Sequence, residues 1–325
     1  MRILLVGKGN NGVYYHRLYV PYQALSREGH EVMSTPVIDD ITFEECKLFD
    51  VVVFNRNIST KFDPAPIFAL LKLAKVKIIM DIDDYWHISS GHPMYHYARK
   101  TNFARCCVDQ LKYSDYITTT HSYLKNFIVK EGIPKEKVFV CKNAIDPLEG
   151  QYKQEFSFND KLMWQGSATH AMDLELLSNI DQPITLCGYY YSEEWFAMSS
   201  KIKHPLKKDH LGMMEYMNHY QDTGISLIPL KDNKFNKFKS ELKMIEAGWA
   251  NKPVIVSKIH PYSIMSNHMI NCLEAANADE FKKYTELLLK NKQLQDDLRG
   301  KLNEEVKKKY LIETPNQIRR QVLEL

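Results

Sequence analysis

The sequence predicts an α/β protein with two doubly wound parallel sheets, one in each half of the chain. Three observations carry that prediction. Short apolar runs rich in Val and Ile alternate with stretches of helical period along both halves, the pattern of strands joined by crossover helices. The alternation breaks in the turn-rich polar link Asp146-Pro-Leu-Glu-Gly-Gln151 and then restarts. A chain of 325 residues, 44% hydrophobic, is long enough to bury two cores and long for one.

In the first half, Ile3 to Val6 reads as a strand, followed by the glycine loop Gly7-Lys-Gly-Asn-Asn-Gly12 and an amphipathic helix from Tyr15 to Glu28 that stops at Gly29. Glu31 to Ser34 and Asp50 to Phe54 are the next strands. A helix from Pro64 to Ala74 leads into Lys77 to Met80, which empties into Asp81-Ile-Asp-Asp84. A longer helix, His96 to Lys112, precedes the strand Tyr116 to Thr119, and Ser122 to Glu131 precedes Val138 to Cys141. Ligands of such sheets collect beyond the carboxyl ends of the strands, where Gly7 to Gly12, Asp81 to Asp84 and Asn143 all fall.

The second half repeats the grammar. Lys161 to Gln165 is a strand, Gly166 to His170 a loop and Asp173 to Asn179 a helix. Ile184 to Cys187 ends at Gly188-Tyr-Tyr-Tyr191, and a helix from Met213 to Tyr220 precedes the strand Ile225 to Ile228. A polar loop, a helix with Ser240 as N-cap and the strand Pro253 to Ser257 follow. Ile270 to Leu273 is a last short strand, and helical sequence fills the rest, interrupted near Gly300 and Pro315. The expected domains are 1–150 and 151–310, with 311–325 as a closing helix.

Charge excludes little and demands little: 43 basic against 40 acidic residues leave a formal net of +3, which calls for neither nucleic acid nor membrane. The six cysteines lack metal-ligand spacing, and the adjacent pair Cys106-Cys107 is poor disulfide geometry, so they read as reduced thiols of a cytoplasmic protein. No stretch is apolar for long enough to cross a bilayer; peripheral contact through a basic face leaves little trace in hydropathy and stays open.

Several residues carry candidate chemistry. Lys239 or Ser240, Lys243 and Glu246 share one face near a helix start, suited to a phosphate at the N-terminus and a ribose diol a turn further in, or to an ordinary solvated stripe. Gly7-x-Gly9-x-x-Gly12 matches a dinucleotide fingerprint, but Met33-Ser-Thr-Pro36 stands where its ribose-holding acid belongs, which argues against a nicotinamide or flavin site. Asp81-x-Asp83 suits a divalent metal, an acceptor hydroxyl or a turn. Trp86 suits a sugar face or the core, and Tyr189 to Tyr191 a nucleotide base or loop packing. His16, one turn into the first helix, and His170, before the helix near Ala171, suit ligand contact or local packing.

Gly12-Val-x-x-His16-Arg17 with Pro21-x-x-x-Leu25-x-x-x-Gly29-His30-Glu31-Val32 resembles the opening of retaining glycosyltransferases of the two-domain GT-B fold. Val138-Phe-Val-Cys-Lys-Asn143-Ala-Ile-Asp146 resembles the end of their first domain, and Gly166-Ser-x-x-His170-x-x-Asp173 the first loop of their second. Phe235-Asn-x-x-Lys239-Ser240-x-x-Lys243-x-x-Glu246-Ala247 with Lys252-Pro253 resembles their donor-binding signature. The resemblance spans nearly the whole chain and implies two facing Rossmann-like domains with a cleft between them, the closing helix crossing back to the first domain. It implies donor contacts from Gly12, Gly166, His170, Tyr189, Lys239, Ser240, Glu241, Lys243 and Glu246, with Glu246 on the ribose. Acceptor contacts fall to Asn11, Asp83, Asp84 and Trp86, and catalytic roles to Lys243, Asp83 and His16. One departure stands out: the first glutamate of the family's E-x(7)-E is Phe238 here. The function implied is transfer of a sugar from a UDP- or GDP-linked donor to a glycan or glycoconjugate hydroxyl, with retention and without a required cofactor or metal. A modified nucleic-acid base is the alternative acceptor. A nucleotide-sugar isomerase or epimerase, or a silent binding module, are the readings from other classes.

Overall fold

The structure, a computed structural model, describes the chain apart from residues 10, 60–62, 93 and 325 and the side chain of Ala168. The chain divides into two compact units, Met1–Asp146 with Ile312–Leu325, and Pro147–Leu311.

The first unit holds a six-stranded parallel sheet of β1 (Arg2–Val6), β2 (Glu31–Thr35), β3 (Val51–Asn55), β4 (Lys77–Ile82), β5 (Tyr116–Thr119) and β6 (Val138–Val140), in the order β2-β1-β3-β4-β5-β6. The unbroken apolar run Val51-Val-Val-Phe54 is buried along its length, as a central strand covered on both faces requires. After β1 the chain forms a helix, Gly12–Tyr14, that widens into a π-turn, Tyr15–Tyr19, before resuming as Val20–Ser26. The wide turn lies just ahead of Pro21, which has no N–H to give the Arg17 carbonyl. The closing helix Glu313–Glu324 adds Val322 and Leu323 to the core of Ile3, Leu5, Val51 and Val53, and Asn316 Nδ2 donates to the Pro21 carbonyl at 3.0 Å.

The second unit holds β7 (Leu162–Gln165), β8 (Ile184–Tyr189), β9 (Pro205–Asp209), β10 (Ile225–Ile228), β11 (Val254–Ser257) and β12 (Leu273–Ala275), again all parallel, in the order β12-β11-β10-β7-β8-β9. Two doubly wound sheets are thus present, as the alternation of apolar runs and helices predicts.

Several boundaries differ from the sequence reading. The helix expected over His96 to Lys112 is two, Tyr95–Lys100 and Phe103–Tyr113, separated by Asn102 at φ 49°. The segments expected to be helical at Asp173 to Asn179 and Met213 to Tyr220 contain only the 3-10 turns Asp173–Leu177 and Tyr216–Tyr220. Strand β9 overlaps the end of the basic run Lys201 to Lys208, and the last strand begins at Leu273 rather than Ile270. Among the described residues no helix is long and apolar enough to cross a membrane.

Candidate functional site

In the second unit the first strand of the sheet ends in a turn made possible by two glycines. A Cβ at Gly166 would stand 2.5 Å from the Trp164 ring, and one at Gly188, whose φ is +95°, would stand 2.7 Å from the Gly166 carbonyl oxygen. The gap so preserved is where Lys243 enters. Its Nζ lies 3.1 Å from the point a Gly166 Cβ would occupy, donates to the Gln165 carbonyl at 2.8 Å and sits 5.3 Å from the Trp164 ring centroid. Lys243 makes no ion pair among the described residues, and burial with the like charge of Lys239 brings its pKa down to about 8.

Lys243 stands in the first turn of the helix Leu242–Trp249, and Glu246 one turn on. The N-cap is Glu241, not the expected Ser240: the Glu241 carbonyl accepts from the amides of Met244 and Ile245, which leaves Ser240 outside the helix. Ser240 and Lys239 precede it in the loop, the latter with Nζ 5.1 Å from the Phe235 ring centroid. The Glu241 side chain is buried, so what it can offer a ligand is backbone only. Phe238 is buried in the core, and the position of the family's first glutamate is therefore apolar. Glu246 is 4% exposed and accepts from the hydroxyl of Tyr216, which lies 3.3 Å from that of Tyr152. Burial drives the Glu246 carboxyl up to about 7, with Tyr216 and Lys243 pulling the other way.

A second network ties the Gly166 turn to the loop after β10. His170 Nδ1 lies 2.9 Å from Asp173 Oδ2. Asp173 Oδ1 accepts from the Lys231 amide and from Asn236 Nδ2, each at 2.9 Å. Burial and the nearby charges of Lys243 and Lys239 hold the His170 imidazole well below its usual range, against the pull of Asp173.

The structure thus gathers Gly166, His170, Lys239 and Lys243 at one place, with Glu246 further along the same helix. Tyr189 is a correction. It is 4% exposed, packs edge-on to Trp195 with ring centroids 5.3 Å apart, and carries Lys207 Nζ 4.5 Å over its ring, so it has no face to offer a base. Tyr191, at 86% exposed, is the ring of that triplet that solvent reaches most.

In the first unit the acidic residues after β4 are engaged by arginines. Arg17, buried, holds Asp81 through two hydrogen bonds of 3.0 and 2.7 Å and also reaches the Cys141 carbonyl and Asn143. Arg56 grips Asp83 through two bonds of 2.9 Å and reaches Asp84 at 3.1 Å. Burial alone would raise the Asp83 carboxyl, but Arg56 and Asn55 hold it below its usual value. Asp81 has no oxygen left for a metal, since Thr118 and Asn55 donate to it too; among the described residues no His, Cys, Asp and Glu cluster could hold one. Trp86 is a second correction: at 1% exposed, against Tyr85 and Phe127, it belongs to the core and presents no stacking face. Asn11 is exposed and caps the helix: its amide oxygen accepts from Tyr14 N at 2.8 Å and its nitrogen donates to the Lys8 carbonyl at 2.7 Å. His16 lies in the π-turn, buried edge-on to Tyr15, and burial with neighbouring Arg17 lowers its pKa to about 3; the ring is neutral. Gly7 makes room for the Tyr14 ring, 2.7 Å from where its Cβ would be, while part of the glycine loop, Asn10, lies outside the described residues.

No protein-family model matches the sequence, and no curated protein does. Among solved structures, the chain is similar over its whole length to the Anabaena protein HepE in complex with UDP-glucose, with a TM-score of 0.68 and 11% identity, covering 100% of this chain and 99% of that one. Sucrose-phosphate synthase from Thermosynechococcus elongatus gives a TM-score of 0.69 at 12% identity, with 99% of each chain covered. The fold is GT-B. A glycosyltransferase from Rickettsia africae gives 0.65 at 11% identity, covering 99% of this chain and 97% of that one.

Several members of the two clusters escape a sequence reading. Arg17 and Arg56 lie 64 and 27 residues from the aspartates they hold, and Tyr216 is 30 residues from Glu246. Asp173 and Asn236 stand in quoted motifs, but only the fold reveals that they bond to each other. One signal was available: Arg17 follows His16 within the run Val13 to Tyr22, whose other residues are apolar or aromatic, where a lone cation calls for a buried partner.

Proposed function

We propose that the protein is a glycosyltransferase that moves a sugar from a UDP- or GDP-linked donor to an acceptor hydroxyl, with retention at the anomeric carbon. The observation that carries this reading is Lys243, an ammonium seated over a glycine turn at the carboxyl end of the sheet with no carboxylate paired to it among the described residues. Such a cation suits a diphosphate. As the glycosidic bond breaks, charge grows on the leaving diphosphate, and Lys243, Lys239 and the amides at the start of Leu242–Trp249 stabilise it. Glu246, oriented by Tyr216, accepts hydrogen bonds from the ribose hydroxyls. Gly166, with no side chain, leaves the room beside the turn in which Lys243 sits. Because Phe238 replaces the family's sugar-addressing glutamate, sugar choice rests on other groups.

The UDP-glucose bound to HepE supports the donor class, and retention rests on the sequence resemblance. The acceptor is a glycan or glycoconjugate whose hydroxyl Asp83 and Asp84 orient, their charges set by Arg56. Six free thiols suit a cytoplasmic site of action.

Calorimetry with UDP, GDP and ADP and their common sugars tests the donor assignment. Release of free nucleoside diphosphate only when an acceptor is added supports the transferase. Tight binding with no turnover across an acceptor panel overturns it, as does rearrangement of the donor sugar without any acceptor.

A further inference from the structure

We propose that His170 takes up a proton from solvent when the donor's diphosphate binds beside Lys239 and Lys243, and that Asp173 is the positioning residue that holds the ring for it. The proposal rests on the donor reading above and adds a protonation step to it.

The geometry fixes the tautomer. An ionised carboxylate only accepts, so a neutral His170 facing Asp173 Oδ2 at 2.9 Å carries its hydrogen on Nδ1 and leaves a lone pair on Nε2. Asp173 cannot turn to change this. Its other oxygen is held by the Lys231 amide and by Asn236 Nδ2, and Asn236 is itself fixed by donating from Nδ2 to the Lys231 carbonyl and from its backbone amide to Asn233 Oδ1. A lone pair facing a phosphate oxygen is repulsive; an N–H in its place is a charge-assisted donor.

The charges explain why the ring waits for the ligand. Burial disfavours the imidazolium, Lys243 on the Leu242–Trp249 helix and Lys239 on the loop before it repel it, and Asp173 opposes them. Lys231, on the loop after β10, has its ammonium committed to Glu175. A bound diphosphate adds negative charge next to both lysines and reverses the balance. The proton then goes onto Nε2, Nδ1–H stays on Asp173, and no other covalent bond changes. The ring becomes a third cation of the cradle only while the diphosphate is present.

Calorimetry of the full chain with UDP-glucose, and with GDP-mannose as a second arm, in two buffers of equal pH and different ionisation enthalpy counts the protons exchanged. Sugar nucleotides have no phosphate that titrates near neutrality, and uridine or guanosine serves as the phosphate-free control. Near pH 6.5 the wild type should take up close to one proton more with the sugar nucleotide than with the nucleoside. His170→Gln should abolish that difference and weaken sugar-nucleotide binding roughly tenfold or more while leaving the nucleoside unchanged. Asp173→Asn should reduce the uptake as well; uptake at the wild-type level would remove Asp173 from the proposal. Should His170→Gln fail to fold, the imidazole nitrogens of the wild type followed by NMR answer the same question: one nitrogen must move from the unprotonated to the protonated range as UDP-glucose is added. Binding with equal proton counts in wild type and His170→Gln overturns this proposal alone. No binding of either sugar nucleotide overturns the donor reading and this proposal with it.

Discussion

In the first unit Arg17 and Arg56 meet Asp81, Asp83 and Asp84 at 2.7 to 3.1 Å, every charge facing its opposite. In the second, Lys243 meets a backbone carbonyl and an aromatic ring, and Glu246 a tyrosine hydroxyl. Both clusters lie at strand ends of a doubly wound sheet, yet the first is closed and the second is open at Lys243, which makes no ion pair among the described residues. A closed cluster stabilises the fold that surrounds it, and what Asp83 and Asp84 keep for a neutral acceptor hydroxyl is the carboxylate lone pairs that Arg56 leaves unused. An open cluster leaves a cation for a ligand, here Lys243, while burial is what pushes both Lys243 and Glu246 towards their neutral forms.

The largest effect expected from this contrast is on stability. Arg17→Met leaves Asp81 buried without its cation and should cost about 3–5 kcal/mol, read as a lower urea midpoint for the transition of the first unit. Lys243→Met removes a partly desolvated cation that has no counter-carboxylate and should leave the midpoint of the second unit unchanged or raised. Equal losses from the two substitutions would erase the distinction between closed and open clusters.

Much of this contrast was legible in the sequence, and the illegible part has a physical cause. The spacing of Lys243 and Glu246 is local, because helical geometry puts residues three apart on one face whatever the tertiary structure. Val51-Val-Val-Phe54 announces a buried strand by its unbroken apolar run. Strand β9 gives no such signal, since the edge strand Pro205-Leu-Lys-Lys-Asp209, with no buried residue, looks like a solvated basic run. Trp86 and Tyr189 sit next to strand ends, where an aromatic ring is equally suited to core or ligand until its neighbours are known. Asp81-x-Asp83 reads as a metal pair only while the arginines that fill it remain distant in sequence.

The next effects are on binding. Glu246→Ala removes the proposed ribose contact and should weaken UDP-glucose binding about 10- to 150-fold, the range of a charge-assisted hydrogen bond worth about 1.5–3 kcal/mol; unchanged affinity by calorimetry removes Glu246 from the site. Lys243→Met should weaken UDP-glucose by about tenfold or more and uridine hardly at all. The same loss for both ligands would place Lys243 away from the phosphates. Arg17→Met, by contrast, should leave the nucleoside affinity of the second unit intact at temperatures where the protein stays folded.

The smallest effect, about one decade in affinity per pH unit, sharpens the comparison furthest. The ribose contact needs Glu246 ionised and the diphosphate needs Lys243 protonated. With Glu246 raised to about 7 and Lys243 lowered to about 8, UDP-glucose binding by His170→Gln, which lacks that ring's proton uptake, should be strongest between pH 7 and 8, falling on the acid side with Glu246 and on the alkaline side with Lys243. The stability of the ligand-free protein runs the other way. Glu246 is raised above its unfolded value, so its contribution is fully present at acid pH, below that value, and is lost as pH rises through 7. Lys243 is lowered, so its charge opposes folding below about pH 8, and that opposition is relieved as pH rises beyond it. In the window where binding is best, both groups therefore disfavour the empty fold, and the ligand removes the penalty. Subtracting urea-midpoint profiles of Glu246→Gln and Lys243→Met from the wild type isolates each contribution. Profiles that are flat across pH 6 to 9 would show the second cluster to be as closed as the first.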